Sequence, residues 1–384
     1  LTVKADAAAT ALGFASCNDY YQHRVVAPVS AGGLGLDPDE YSGCEDNAPF
    51  SGRSASGARY FTNATFLNLE WRLSESWNVA GGLRRTEDTK AQAGINGFTT
   101  IANVGGVPIR RTVSLNNREE RWGKSIGHVS LEYTPDADLL FYGRISTGFR
   151  AGGFNQVSGG TSATDLAGGL VPATFRAEEL VNYELGMKGR FLDRLVLMVG
   201  AFYQDFDGYH FNAVQYVADP VAASKIPDPF REYTTNIDGT KVWGLEVEGA
   251  LYVGDRWRVS GFYSFLDSSV GSVQAYFYDR DAAETGTFIH RWTDPASGAE
   301  MVATLPRPRD ASGNRLPQQP RHKGAVTIAY ALPLAEFGSL QWLSSLSYTG
   351  DRFPNIANIA YQQLPAYRRW DMHLAWASMN DSWR

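Results

Sequence analysis

The sequence predicts an all-β protein, an antiparallel meander of the transmembrane β-barrel kind. Three observations carry that reading. Apolar and polar residues alternate with a period of two over stretches of about ten residues, the length of a tilted membrane-spanning strand. Short and long connections between those stretches alternate along the chain without a break. The composition is rich in aromatics (13%) and glycine (39 of 384 residues) and poor in charge (20%). Such a composition suits long strands that face two environments and does not suit disorder.

The strands can be justified in order. In Thr65–Ser74 the apolar row is Leu67, Leu69, Trp71 and Leu73, and the polar row is Asn68, Glu70, Arg72 and Ser74. Successive side chains of a strand point to opposite faces, so the segment has one oily and one polar side. After Glu75-Ser76 the apolar row resumes at Trp77, Val79, Gly81 and Leu83. Gly123–Tyr133 and Leu139–Phe149 form the next pair. Val181, Tyr183, Leu185 and Met187 then alternate with Asn182, Glu184, Gly186, Lys188 and Arg190, and Leu192-Asp-Arg194 turns the chain into Leu195–Phe206. Trp243, Leu245, Val247 and Leu251 alternate with Gly244, Glu246, Glu248 and Ala250, and a turn leads to Trp257–Phe265. Lys323–Leu332, Leu340–Tyr348 and Tyr367–Ala377 complete about eleven strands.

All 384 residues are assigned to one partial barrel domain. Its long connections, expected outside the cell, are residues 17–63, 87–118, 150–177, 207–239, 267–322 and 351–366. Loops of that length argue against a compact soluble sandwich, and strands of this length against a propeller. Aromatic pairs flank the short turns: Trp71 and Trp77, Tyr133 and Phe141, Tyr252 and Trp257, Trp376 and Trp383. Amphipathic rings at those positions match an interfacial girdle.

Several function classes are excluded. The net charge is −6 and no Lys/Arg block occurs, so a nucleic-acid footprint is absent. The longest dense apolar run, Leu195–Tyr203, falls short of the ~18 residues a membrane helix needs. The six histidines are scattered, no Gly-x-Ser-x-Gly elbow occurs, and the glycines of residues 31–36 lack the strand and helix of a phosphate cradle. Glu246 and Glu248 share a strand face and read as solvated lining, not as an acid/base pair. Neither enzyme activity nor a cofactor or metal is expected. Arg307, Arg309, Arg315 and Arg321 read as a solvated loop, with an anion contact as the alternative. Cys17 and Cys44 are either free thiols or, in an oxidising compartment, a disulfide across the first long loop; the disulfide is the expectation adopted.

Four stretches carry a family resemblance. Phe141-Tyr-Gly-Arg-Ile-Ser-Thr-Gly-Phe-Arg-Ala-Gly-Gly-Phe-Asn155 resembles the barrel segment of TonB-dependent outer-membrane receptors. Glu178–Phe191, with its Tyr-Glu-Leu-Gly-Met-Lys core, resembles the same barrel, and Gly244–Gly249 and Leu316–Lys323 are similar to its later strands. The resemblance implies part of a 22-stranded barrel in a Gram-negative outer membrane, with the plug domain, the TonB-gripping box and the last two strands outside this sequence. It implies uptake of a ferric siderophore or other bulky nutrient, energised through the TonB complex; a plugless porin or an adhesin barrel is the alternative. Lipid, the plug of the full-length chain, TonB and the ligand are the partners implied. Arg144, Asn182, Glu184, Lys188, Arg190, Glu246 and Glu248, in the polar rows, are expected to face the lumen and plug. Arg150, Phe154, Asn155, Arg176, Tyr209 and Phe211, at the long-loop end, are expected to hold the ligand by stacking and charge pairing.

Overall fold

A computed structural model describes residues 50–100, 103–104, 107–108, 111–155, 171–216, 230–276, 286–293, 298 and 300–378. Cys17, Cys44, the glycines of 31–36 and Trp383 lie outside the described residues, and the disulfide expectation with them. The chain divides into two compact units, residues 1–60 with 90–120, and residues 61–89 with 121–384. Described parts of the first unit include a two-stranded ladder, Asn103–Val104 with Val107–Pro108, and Lys90 Nζ lying 5.9 Å over the Tyr60 ring.

The main sheet has eleven strands, ordered as they occur along the chain. They are β1 (Phe50–Arg72), β2 (Trp77–Thr100), β3 (Arg111–Asp136), β4 (Leu139–Arg150), β5 (Glu178–Phe191) and β6 (Leu195–Asp207). After these come β7 (Thr240–Val253), β8 (Trp257–Ser269), β9 (His322–Pro333), β10 (Ser339–Thr349) and β11 (Tyr367–Ala377). The expected strands are all present, and the sheet's edges are β1 and β11. Strand length is a correction. β4 to β11 run 11–14 residues, but β1, β2 and β3 run 23, 24 and 26. Backbone pairing therefore continues into segments that were expected to be loop, because a hairpin partner keeps satisfying N–H and C=O groups past the bilayer.

Register divides every strand between two faces. Tyr183, Tyr203 and Trp243 are neighbours in one row across β5, β6 and β7; Glu184 lies opposite Phe202, and Glu246 opposite Ser264, on the other side. The first face carries the large exposed apolar residues: Leu67, Leu69, Trp71, Leu131, Ile145, Leu185, Leu245, Leu346, Trp370, Met372 and Leu374. A water-soluble sheet would bury this surface; a strand wall in lipid exposes it. Polar groups on this face are satisfied locally, as where Trp370 Nε1 donates to Ser344 Oγ at 2.7 Å.

Aromatics gather on that face at both ends of the strands. Near the short turns, Trp77 stacks on Tyr133 at 4.5 Å, Tyr133 on Phe141 at 6.4 Å, and Trp257 meets Tyr330 at 4.4 Å. Near the long loops, Tyr183 meets Tyr203 at 6.3 Å and Trp243 meets Phe265 at 5.1 Å. Tyr252 is a correction to the expected girdle. It pairs with Arg258 in the polar row, and that guanidinium lies 5.9 Å over its ring.

Among the described residues, buried hydrophobics lie in the long connections, Val242 of β7 excepted. Ile237, Val242, Val270, Val273, Ala311, Leu316 and Ile356 form one cluster, against which Phe206, Tyr209 and Phe211 pack. A strand wall with lipid on one side has no dry interior of its own. The loops supply the core instead.

Candidate functional site: the polar face and its loop end

The polar face is built by alternation, and glycines let large side chains lie flat on it. A Cβ on Gly186 would come within 2.5 Å of the Tyr142 ring, and one on Gly244 within 2.7 Å of the Phe202 ring. Lying over Gly186, Tyr142 donates from its hydroxyl to Glu184 Oε1 at 3.3 Å, and Lys188 Nζ sits 5.6 Å over its ring. Arg144 is the cross-strand neighbour of Glu184, and Asn182 that of Ser146. Asn78 Nδ2 donates to Glu70 at 2.9 Å and to Glu132 at 3.4 Å. Glu246 and Glu248 continue the carboxylate band beside Gly200 and Met198. Arg190, at the turn end, donates to Asp138 at 3.0 Å and reaches Asp193 at 3.6 Å, fastening two short turns together.

The loop end is more closely knit. Arg150 of β4 is opposite Glu178 of β5, whose carboxylate accepts the His210 backbone N–H at 2.7 Å. Tyr209 is half-buried in this corner. Burial first, then the Glu178 carboxylate, pushes its phenol above the usual range, with Arg150 pulling the other way. Arg176 bridges two carboxylates, Asp238 directly and Asp207 at 3.4 Å, while its carbonyl accepts from Asn236 Nδ2 at 2.9 Å and contacts His210 Nε2 at 2.8 Å. Partial burial works to raise the Asp238 carboxyl, but the Arg176 hydrogen bond and charge, with the Gly208 N–H, hold it below the usual range. Phe154 meets Trp122 edge-on at 5.9 Å, and Phe175 meets His210 at 4.9 Å.

Arg150, Phe154 and Arg176 thus stand at the loop ends of β4 to β6. Three of the six expected ligand residues are occupied otherwise. Asn155 is 4% exposed; its amide donates to the Pro172 and Thr234 carbonyls at 2.9 and 3.0 Å and accepts the Thr234 N–H at 2.8 Å. Tyr209 and Phe211 pack against the loop core. Sequence reasoning missed Glu178, His210, Asn236 and Asp238. The run Asn236-Ile-Asp-Gly239 carries a turn signal, but nothing local pairs it with Arg176, sixty residues earlier in the hydrogen bond of Asn236.

A sheet with one lipid-compatible face, one polar face, short turns at one end and a folded set of loops at the other defines an outer-membrane β-barrel protein. Residues 8–384 match the family model described as TonB dependent receptor-like, beta-barrel. The chain belongs to that family, one of receptors and transporters of the Gram-negative outer membrane. It is 24% identical over 200 residues to the pesticin receptor of Yersinia enterocolitica, an alignment covering 52% of this chain and 25% of that one. The ferric yersiniabactin uptake receptor FyuA from Yersinia pestis has a similar fold, with TM-score 0.58 and 16% identity over 86% of this chain and 40% of that chain. The siderophore receptor PiuA from Acinetobacter baumannii follows at TM-score 0.52 and 18% identity, covering 83% of this chain and 37% of that one. The chain spans about a quarter of the length of the curated relatives it matches.

Proposed function

We propose that the chain forms part of the wall and the outer loops of a receptor that imports a ferric siderophore, or a chelate of similar bulk, across the outer membrane with energy delivered through TonB. The observation that carries this reading is the pairing of a polar strand face with loop ends that bear Arg150 opposite Glu178, Phe154 against Trp122, and Arg176 between Asp207 and Asp238. Flat aromatic rings and guanidinium groups are the side chains that grip a bulky, oxygen-rich chelate. The names of the pesticin receptor and of the ferric yersiniabactin uptake receptor support the same class of cargo. On this reading the long connections face outside. Arg144, Asn182, Glu184, Lys188, Glu246 and Glu248 face a plug in the same full-length chain, and Arg190 stabilises the periplasmic turns.

The test uses the full-length receptor in iron-starved cells. Labelled ferric siderophores should accumulate when TonB is functional, and only surface binding should remain when it is not. Accumulation that ignores TonB would favour a passive pore, and binding without accumulation in either strain would favour an adhesin.

A further inference from the structure

The long connections do not stand as separate loops. Described parts of four of them, between β4 and β5, β6 and β7, β8 and β9, and β10 and β11, are tied to one another by hydrogen bonds. Asn155 joins the first to the second at Thr234, and the Arg176 N–H, donated to Asn236 Oδ1 at 2.9 Å, joins them again. The second meets the third at an isolated antiparallel bridge, where the Tyr276 N–H donates to the Val214 carbonyl at 2.9 Å. Gly271 of the third lies so near the second that a Cβ there would collide with the Asp238 carbonyl. The third meets the fourth where the Gln318 N–H donates to the Phe353 carbonyl at 2.8 Å and the Asn314 amide to the Ile356 carbonyl at 2.8 Å. Arg315 and Asn358 exchange two further bonds, at 2.9 and 3.0 Å. The four arginines weighed for an anion contact are engaged as well: Arg315 pairs with Asp351, Arg321 pairs with Asp267, Arg307 donates to the Thr287 carbonyl, and Arg309 also has a partner.

The same body is seated on the strands. Its hydrophobic cluster takes Ile237 from the second connection, Val270, Val273, Ala311 and Leu316 from the third, and Ile356 from the fourth. Phe202 and Phe206 of β6, Val242 of β7 and Leu266 of β8 pack with it. Register puts those four strand residues in the polar rows, on the side of Glu184 and Glu246. The polar anchors are buried too. Thr240, 0% exposed, accepts the Gly271 N–H at 3.1 Å, and Ser268 accepts the Leu316 N–H at 2.9 Å. Freeing one connection would expose apolar surface and strand buried polar groups that belong to its neighbours, so the four gain or lose their order together.

We propose that these four connections form one fixed cap, locked to the polar face of β6 to β8, and that cargo passes the cap without its opening. The cap itself stands on the contacts above; its consequence for cargo rests on the importer reading. Loops that close separately over a ligand need few shared buried contacts, since each must detach at little cost. Here the shared contacts run through all four connections, and the largest buried side chains, Ile237 and Ile356, sit where different connections meet.

The experiment uses the full-length receptor in outer-membrane vesicles. Hydrogen exchange is followed in graded denaturant over residues 211–214, 234–237, 270–276, 311–318 and 353–359. Segments of one cooperative body open together, so all five should share one denaturant dependence. Ile356→Ala should speed exchange roughly fivefold or more at 234–237, 270–276 and 311–318 as well as in its own connection. Ile356→Val should give a smaller rise in the same segments, and it decides the matter if the alanine variant does not fold. Ile289→Ala, at an exposed position of the hairpin Thr287–Thr293 with Glu300–Pro306, should leave all five unchanged. Five separate dependences, or loosening confined to 353–359 in a folded variant, would overturn the cap. A second arm links the second connection to the third by Val214→Cys with Tyr276→Cys, in receptor that also carries Cys17→Ser and Cys44→Ser. Cells given radioactive iron complexes of a catecholate, a hydroxamate and a phenolate siderophore should accumulate iron within about twofold of the same cells reduced and washed. Failure of the folded receptor to cross-link, or accumulation that stops on oxidation and returns on reduction, would overturn the fixed cap. No accumulation in either state would remove the importer reading, and the exchange result would then decide the cap alone.

Discussion

Single residues in the loops perform work that their sequence context conceals. Arg315 is the clearest case. It pairs with Asp351 at 2.7 Å, lies 4.8 Å over the Phe353 ring, and donates its backbone N–H to Asn358 Oδ1 at 2.9 Å, so one residue ties the last long connection to the one before it. The Arg315 hydrogen bond, and next that of Gln363, hold the Asp351 carboxyl below the usual range. A carboxyl lowered in the folded state contributes stability above its unfolded value of about 3.9 and loses it as pH falls through the lower folded value. Because the pair is partly solvated, the contribution is modest. Hydrogen exchange at residues 355–359 should therefore stay protected from neutral pH down into the mildly acidic range, and protection should fall only below it. In Arg315→Ala the protection should already be reduced at pH 7; equal protection in the variant would remove this role. Arg307, Arg309, Arg315 and Arg321 look alike in the sequence. Which of them is neutralised depends on residues such as Asp267 and Asp351, tens of positions away, and no local pattern reports that.

Strands and their short turns were legible because their causes are local. A period of two needs only neighbours, and the turn at Leu192-Asp193, where both residues take positive φ (52° and 54°), leaves a visible polar break between two apolar rows. Loop architecture was not legible. The hairpin of Tyr209–Tyr216 with Phe230–Ile237 and the cluster around Ile356 depend on contacts between connections far apart in sequence. Asn155 shows the consequence: beside Arg150 and Phe154 it reads as a ligand contact, yet it clasps the segment at Pro172–Ala173 to Thr234. Asn155→Ala should strand the Thr234 N–H and two carbonyls and loosen the loop by about 2–3 kcal/mol. Limited proteolysis should then cut within residues 171–177 or 230–237, while the strand ladder keeps its heat-modifiable mobility. Unchanged protease resistance with weaker ligand binding would return Asn155 to the ligand-contact role.

Across the described residues, one rule organises the chain: apolar side chains on one face, charges and glycine-seated aromatics on the other, and the dry core moved out into the loops. The rule is energetic. A one-residue slip in register would send Glu184 and Lys188 into lipid and Leu185 into the polar row, and a Lys at mid-depth costs roughly 2–4 kcal/mol. The direct test places a spin label at each position from 181 to 188 except 186, where the Tyr142 ring leaves no room, one at a time, in receptor whose Cys17 and Cys44 are replaced by Ser. Collision with oxygen, which dissolves in lipid, is then compared with collision with a water-soluble nickel chelate. A strict two-residue alternation is expected, with 181, 183, 185 and 187 reached by oxygen and 182, 184 and 188 shielded from it. Equal access of the nickel chelate to both sets, or alternation with the opposite phase, would contradict it.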